Sequence, residues 1–437
     1  MKGSQRRLIG VALLAALTIA LLLAAALVAA LNLQGEDPVD DRLPATPPEP
    51  ALVARGAYLA RAGNCIGCHT ARGGVPYAGG RAIETPFGTV FSSNLTPDAV
   101  TGMGGWSASQ FWRALHNGRS RDGRLLVPAF PYPNYTRVTR ADSDAIHAYL
   151  RSLAPVVQAR REHALRFPYD SQLALALWRA LYFEPAPHTD AGTASAAVSP
   201  EAAERERGAY LVQGLGHCNA CHASRNALGA SPDPQDLGGG LIPMQNWYAP
   251  SLESRAEAGL QDWPVEQIVA LLKTGIAAQG TVSGPMAEVV RQSTQHLADA
   301  DLRAMAAYLK ALPENPGPAA PPATSPQADL PAGARVYEKH CAACHGERGE
   351  GAPGIYPALA GNRAVLLASP VNAVRSVLEG GFAPSTAGNP RPFGMPPFAT
   401  VLSNEEVAAV LSQVRNAWGN RARAVGALEV ARLRGAQ

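Results

Sequence analysis

Cys65-Ile66-Gly67-Cys68-His69 sets a pattern that returns at Cys218-Asn219-Ala220-Cys221-His222 and at Cys341-Ala342-Ala343-Cys344-His345. The three stretches use all six cysteines of the 437-residue chain. A C-x-x-C pair alone would suit a redox disulfide or half of a zinc site. Neither explains the histidine that follows each pair. In the five-residue form, two thiols hold a porphyrin covalently and the adjacent imidazole takes one axial position on its iron. The spacing predicts three covalently bound haem c groups, with His69, His222 and His345 as iron ligands.

Working outward, each motif sits inside a repeated unit. Val53-Ala54-Arg55-Gly56-Ala57-Tyr58-Leu59 leads into the first motif, Arg207-Gly208-Ala209-Tyr210-Leu211 into the second, and the looser Gly333-Ala334-Arg335-Val336-Tyr337 into the third. Each unit closes with an amphipathic helical pattern, over 141–153, 298–312 and 403–416. Between motif and closing helix, residues 106–118 align with 263–275 without a gap, and both predict a helix stopped by a C-terminal glycine. Phe111 and Leu115 match Ile268 and Leu272 as an apolar face. The sequence divides into an anchor and tether (1–50), a first domain (51–160), a connector (161–200), a second domain (201–314), a proline-rich linker (315–330), a third domain (331–420) and a tail (421–437). The apolar residues of 167–185 suggest packing between domains. The prolines of the linker suggest an extended spacer that leaves the third domain more independently placed.

An iron that only carries electrons is usually six-coordinate, and a methionine opposite the histidine raises its potential. Met286, in Gly284-Pro285-Met286, and Met395, in Gly394-Met395-Pro396-Pro397, fall on irregular chain before a closing helix and are the expected sixth ligands. Met305, inside the closing helix, reads as core, and Met244 as a loop residue. The first unit departs from the pattern, because Phe130 stands where Met286 stands in the second. His116, His147 and Met103 are the candidates there, and an empty position is the alternative. Met103 aligns with Leu260 and His116 with Lys273. His163, His188 and His296 need no special role, and His217 and His340 directly precede cysteines near a haem rim.

Residues 8–33 carry no charge and are long enough to span a bilayer. Lys2, Arg6 and Arg7 precede the run, while Glu36, Asp37, Asp40 and Asp41 follow it. The positive-inside rule then leaves the N-terminus in the cytoplasm and the haem-bearing body outside. Val28-Ala29-Ala30 would suit a signal peptidase, but the run exceeds the ~7 to 15 residues of a signal-peptide core. A net charge of +3 and 17% charged residues, with no long basic run, give no footprint for a nucleic-acid partner. No catalytic base, nucleophile or nucleotide loop is evident.

Three such units behind one anchor, with Thr85-Pro86-Phe87-Gly88-Thr89, Pro128-Ala129-Phe130-Pro131-Tyr132 and Gly284-Pro285-Met286-Ala287, resemble the three-haem cytochrome c subunit of bacterial membrane-bound dehydrogenases. The resemblance covers nearly the whole chain. It implies an all-α fold of three tandem small cytochrome c domains behind one transmembrane helix. It also implies a separate catalytic dehydrogenase subunit using molybdenum, flavin or quinoprotein chemistry, with a quinone or an oxidase as acceptor. Two alternatives stay open at this point: a peroxidase-like haem enzyme working at an open first haem, and a cytochrome subunit of a terminal oxidase.

Overall fold

The computed structural model describes residues 2–43, 46–187, 199–231, 233, 235–316 and 330–435. Three pairs of crossing helices organise them: Pro50–Ala62 on Arg140–Ser152, Pro200–Ala209 on Asp299–Lys310, and Leu330–His340 on Asn404–Asn416. A glycine brings each pair into backbone contact. A Cβ on Gly56 would stand 1.8 Å from the Ala145 carbonyl oxygen, one on Gly208 1.9 Å from that of Ala304, and one on Gly333 2.2 Å from that of Ala409. The repeated glycine is therefore a crossing point, where only a hydrogen fits.

The two aligned middle helices form as their residues dictate. Ala108–Asn117 starts with a reciprocal cap, in which Ser107 Oγ accepts from the Gln110 amide and Gln110 accepts from the Ser107 amide. It stops at Gly118, whose φ of 60° is left-handed, and Val265–Thr274 stops in the same way at Gly275 with φ 83°. Short antiparallel strands accompany the helices. The Thr85-Pro86-Phe87-Gly88-Thr89 segment is a hairpin turn between Ala82–Thr85 and Gly88–Phe91, and Ala164–Leu165 adds a third strand. Gly88 is required there, since a Cβ would lie 2.2 Å from the Ala164 carbonyl oxygen.

Packing does not follow the boundary between residues 51–160 and 201–314. One apolar cluster runs through both, joining Leu59, Phe111, Leu115 and Ile146 to Leu211, Ile268, Leu272 and Leu302. Residues beyond 330 have their own clusters, one around Val374, Leu378, Val407 and Leu411 and one around Tyr337, Val365 and Val410. They touch the second unit through polar contacts, such as the paired bonds of Asn372 with the backbone of Tyr248 at 2.9 and 2.7 Å.

Four sequence expectations are revised. Residues 421–437 are not a tail: Ala427–Arg434 is a helix that buries Val430 and ties Arg434 to Asn404. The described part of the tether is pinned to the first unit, with Ser107 Oγ donating to the Asp40 carbonyl and Gln110 donating to Asp41. Within the connector, Gln172–Tyr182 is a helix whose 3.6-residue period turns Leu175 and Arg179 inward and Leu173, Leu177 and Leu181 outward, so those leucines do not pack between domains. Met286 and Met395 are not on irregular chain: Met286 lies in the first turn of Pro285–Gln292, and Met395 in the two-residue strand Gly394–Met395. Most of the linker (317–329) and the stretch 188–198, with His188, lie outside the described residues.

The N-terminal helix Lys2–Leu33 carries a long uncharged apolar stretch whose leucines and isoleucines, among them Leu8, Ile9, Leu14 and Leu23, are exposed. By length and composition it can cross a membrane.

Candidate haem sites

The first two motifs are reached by a turn with left-handed backbone, at Asn64 (φ 47°) and His217 (φ 38°), and all three begin or contain a single helical turn. That turn brings the motif histidine back over its own first cysteine. The His69, His222 and His345 amides all donate to the carbonyl of Cys65, Cys218 and Cys341, at 2.9 Å in each case.

Each motif imidazole is then fixed by a second bond. Nδ1 of His69 lies 2.8 Å from the Ser93 carbonyl oxygen, that of His222 2.7 Å from Pro250 and that of His345 3.0 Å from Pro357. A carbonyl oxygen only accepts, so Nδ1 carries the proton and the Nε2 lone pair is left for a metal. Burial lowers the pKa of His69 and of His222 against the upward pull of those carbonyls, which keeps both rings neutral. Neutral imidazole with Nδ1 on a carbonyl is the arrangement of a metal ligand.

The thiols bear on the competing chemistries. Burial, with the motif's second thiol adding to it, pushes Cys65 and Cys218 up to about 12 and Cys341 up to about 11. All six are free cysteines, and these three are protonated thiols instead of the low-pKa thiolate of a dithiol redox site. Among the described residues, no group of three or more His, Cys, Asp or Glu is placed to hold a metal ion by itself. Two thiols and one directed imidazole fit haem c and do not complete a zinc site.

Of the remaining expected site residues, Met286 packs against the cluster shared by the first two units, which also borders Cys65 and Cys218. Met395 packs against the cluster of Val374 and Val407, where Val336 links it to the cluster bordering Cys341. Phe130 lies 5.3 Å from the Tyr135 ring, and Tyr135 donates to the Gly63 carbonyl just before the first motif. Met103 is 4% exposed and its counterpart Leu260 6%, both in the one cluster. His116 is buried and stacks on Trp112 at 4.5 Å. His147 is likewise buried, with Nε2 donating to the Trp106 carbonyl at 3.1 Å.

Each of the first two motifs is covered by the other unit. Pro285–Gln292 packs against Cys65–Cys68, and Arg81 donates both to the Gly67 carbonyl and to Glu288 of that helix, at 2.5 and 2.7 Å. In return Asn134 of the first unit donates to the Gln213 carbonyl and to Asn219 inside the second motif, at 2.7 and 2.8 Å. Burial raises the Cys221 thiol, Arg225 lowers it, and Cys68 pushes it up again, so the two motifs are in electrostatic reach of each other.

A cytochrome c family model matches residues 53–154 and 331–418, which hold the first and third motifs. The chain is 39% identical over 408 residues to an alcohol dehydrogenase (quinone) cytochrome c subunit of Gluconacetobacter polyoxogenes, covering 88% of this chain and 84% of that one. It belongs to the family of dehydrogenase cytochrome c subunits. A second member, the alcohol dehydrogenase (quinone) cytochrome c subunit of Gluconobacter oxydans, is 38% identical, with 88% and 82% covered. A third, the gluconate 2-dehydrogenase cytochrome c subunit of Pantoea cypripedii, is 37% identical, with 88% and 90% covered. Cytochromes of this family hold haem c covalently and transfer electrons, which is the chemistry that the thiol pairs and directed imidazoles fit.

Sequence reading missed the carbonyls of Ser93, Pro250 and Pro357, because a backbone acceptor leaves no side-chain signature. It also missed the bonds that join the first two units, although Arg55 and Tyr58, with Arg207 and Tyr210, lie in the repeat that it singled out.

Proposed function

We propose that the chain is a membrane-anchored three-haem cytochrome c that carries electrons from a partner dehydrogenase subunit to a quinone or an oxidase. The observation that carries this reading is the recurrence, at all three motifs, of a histidine whose Nδ1 is committed to a carbonyl. Cys65 and Cys68, Cys218 and Cys221, and Cys341 and Cys344 would form the thioether bonds, and His69, His222 and His345 would supply the proximal nitrogen. Bound there, haem c supplies a one-electron iron couple. Met286 and Met395 are the sixth ligands in this reading, within three tandem cytochrome c domains at 51–160, 201–314 and 331–420.

For the first site, both leading candidates are accounted for by packing. Met103 is as buried as the leucine that replaces it in the second unit, and the His116 ring is stacked on Trp112. In this reading the first iron would have no sixth ligand from the protein, since Phe130 stands where Met286 stands in the second unit and cannot bind iron.

The relay reading is supported by the mutual covering of the first two motifs, which would set two redox centres side by side. The dehydrogenase partner is proposed from the relatives, and its molybdenum, flavin or quinone chemistry would belong to that partner. The apolar helix Lys2–Leu33, with the body on its periplasmic side, is the proposed anchor in a bacterial inner membrane. Mass spectrometry of the mature chain should show three covalent haems, and substitution of either cysteine in one motif should remove one. Two or fewer haems in fully matured protein would overturn the count.

A further inference from the structure

The connector helix Gln172–Tyr182 is unusual in its outward face. Leu173, Leu177 and Leu181 recur every four residues on one side and are 69%, 46% and 68% exposed, and Phe167 just before the helix is 85% exposed. The opposite side is fully engaged. Leu175 is buried, and Arg179 donates to Asn32 Oδ1 at 2.9 Å and to the Asn117 carbonyl at 2.6 Å.

Asn32 fixes where this helix sits. It occupies the last turn of Lys2–Leu33, is 6% exposed, and donates through Nδ2 to the Ala176 carbonyl in the middle of the connector helix at 2.9 Å. Arg119 donates to the Asn32 carbonyl at 2.9 Å and pairs with Glu36, while Asn117 donates to the Gly35 carbonyl at 2.9 Å. The polar latch closes where the uncharged run of the anchor ends. Helices in contact lie about 8–10 Å apart, so the connector helix stands at the level where the anchor leaves the hydrocarbon.

We propose that Gln172–Tyr182 is an interfacial helix that lays Leu173, Leu177 and Leu181 on the lipid bilayer, with Phe167 beside them. The occupant is the membrane because the helix that carries the leucines is tied, through its other side, to the end of the anchor by the Asn32 latch. An apolar stripe backed by a polar, protein-bound side is how a helix lies in the plane of a bilayer surface. Trp178 and Tyr182 are half-buried on the same helix, the residue types that favour the headgroup level. Two contacts, one spanning and one lying flat, would fix the tilt of the first unit relative to the membrane. The inference rests on the reading of Lys2–Leu33 as a membrane anchor.

The test uses the full-length haem-loaded chain in vesicles that contain a phospholipid with a diazirine in its acyl chain. After irradiation, lipid adducts are mapped by peptide mass spectrometry. Adducts are expected both within residues 8–33 and on the peptide spanning 167–182. A triple Leu173→Gln, Leu177→Gln, Leu181→Gln variant should lose at least tenfold of the second set and keep the first. Adducts on 8–33 with none on 167–182 would overturn the interfacial helix while the anchor stands. Absence of adducts at both would overturn both readings.

Discussion

Tyr58 of the first unit donates its hydroxyl to Asp301 of the second at 2.6 Å, and the bond is returned by Tyr210 to Asp142 at the same distance. Each aspartate is also held by the arginine of its own opening helix, Asp301 by Arg207 at 2.8 Å and Asp142 by Arg55 at 2.9 Å. The hydroxyls complete the figure by accepting from the amides that start the opposite closing helices, Ala298 at 3.1 Å for Tyr58 and Thr139 at 3.3 Å for Tyr210. The two units thus mate about a pseudo-two-fold axis. Burial, with the bond to Asp301, pushes Tyr58 up to about 12, so it is a neutral donor at any physiological pH. Burial raises the Asp301 carboxyl, but Arg207 and Tyr58 more than reverse this and hold it below its ordinary value.

Removing one exchanged hydroxyl should loosen the clasp without disturbing the helix pairs. Tyr58→Phe and Tyr210→Phe are each expected to cost about 2 kcal/mol, the usual worth of a hydrogen bond to a charged group. Denaturant midpoints of the haem-loaded chain would measure this. A Tyr58→Phe chain as stable as the parent would show that the bond adds nothing.

The crossing glycines should be far less tolerant. Alanine at Gly208 would set a methyl 1.9 Å from the Ala304 carbonyl oxygen, so the helices must separate. A loss of about 3 kcal/mol or more is expected, with incomplete haem loading of the second motif as the visible result. Haem content per chain, measured by mass, is the readout. Full loading and unchanged stability would contradict the crossing.

Acid should weaken the first unit through His147. Burial lowers its pKa from 6.5 to about 4; the Trp106 carbonyl pulls upward against this, and Arg151 and Arg140 add lesser downward pushes. A depressed folded pKa means that the unfolded chain takes up the proton first as pH falls. The contribution is therefore complete above pH ~6.5, declines down to about 4 and is constant below, a change of about 3 kcal/mol at most. His147→Gln, which can still donate to Trp106, should flatten this slope in pH-dependent denaturation.

At the first haem, His116→Ala is expected to leave the spectra of all three irons unchanged while lowering stability through loss of the stack on Trp112. The ferrous protein should bind one carbon monoxide per three haems. Phe130→Met should abolish that binding and raise one of the three potentials. Altered iron spectra in His116→Ala would restore the histidine as a ligand.

What could be read in advance had a local cause. The motifs, the glycine-stopped helices at 108–117 and 265–274, and the closing helices follow from short-range spacing and capping. Gly56 and Gly208 were visible as a repeat, but that each marks a backbone contact depends on a helix about 90 residues downstream. The clasp was hidden for the same reason, since nothing near Tyr58 in sequence points to Asp301. The outward turn of Leu173, Leu177 and Leu181 was misjudged because an apolar stripe alone does not say whether protein or lipid covers it.

The mutual covering of the first two motifs has a consequence for how the protein is made. Pro285–Gln292 lies across Cys65–Cys68, and Asn134 grips the turn between Cys218 and Cys221. Cys68 and Cys344 nevertheless stay exposed, so the covering lies beside the thiols and does not seal them. The two contacts differ in when they can form along a growing chain. The first motif meets a segment made more than 200 residues later, whereas the second meets Asn134, which is already present when Cys218 is made. The first motif is therefore the last of the two to be joined to its neighbour.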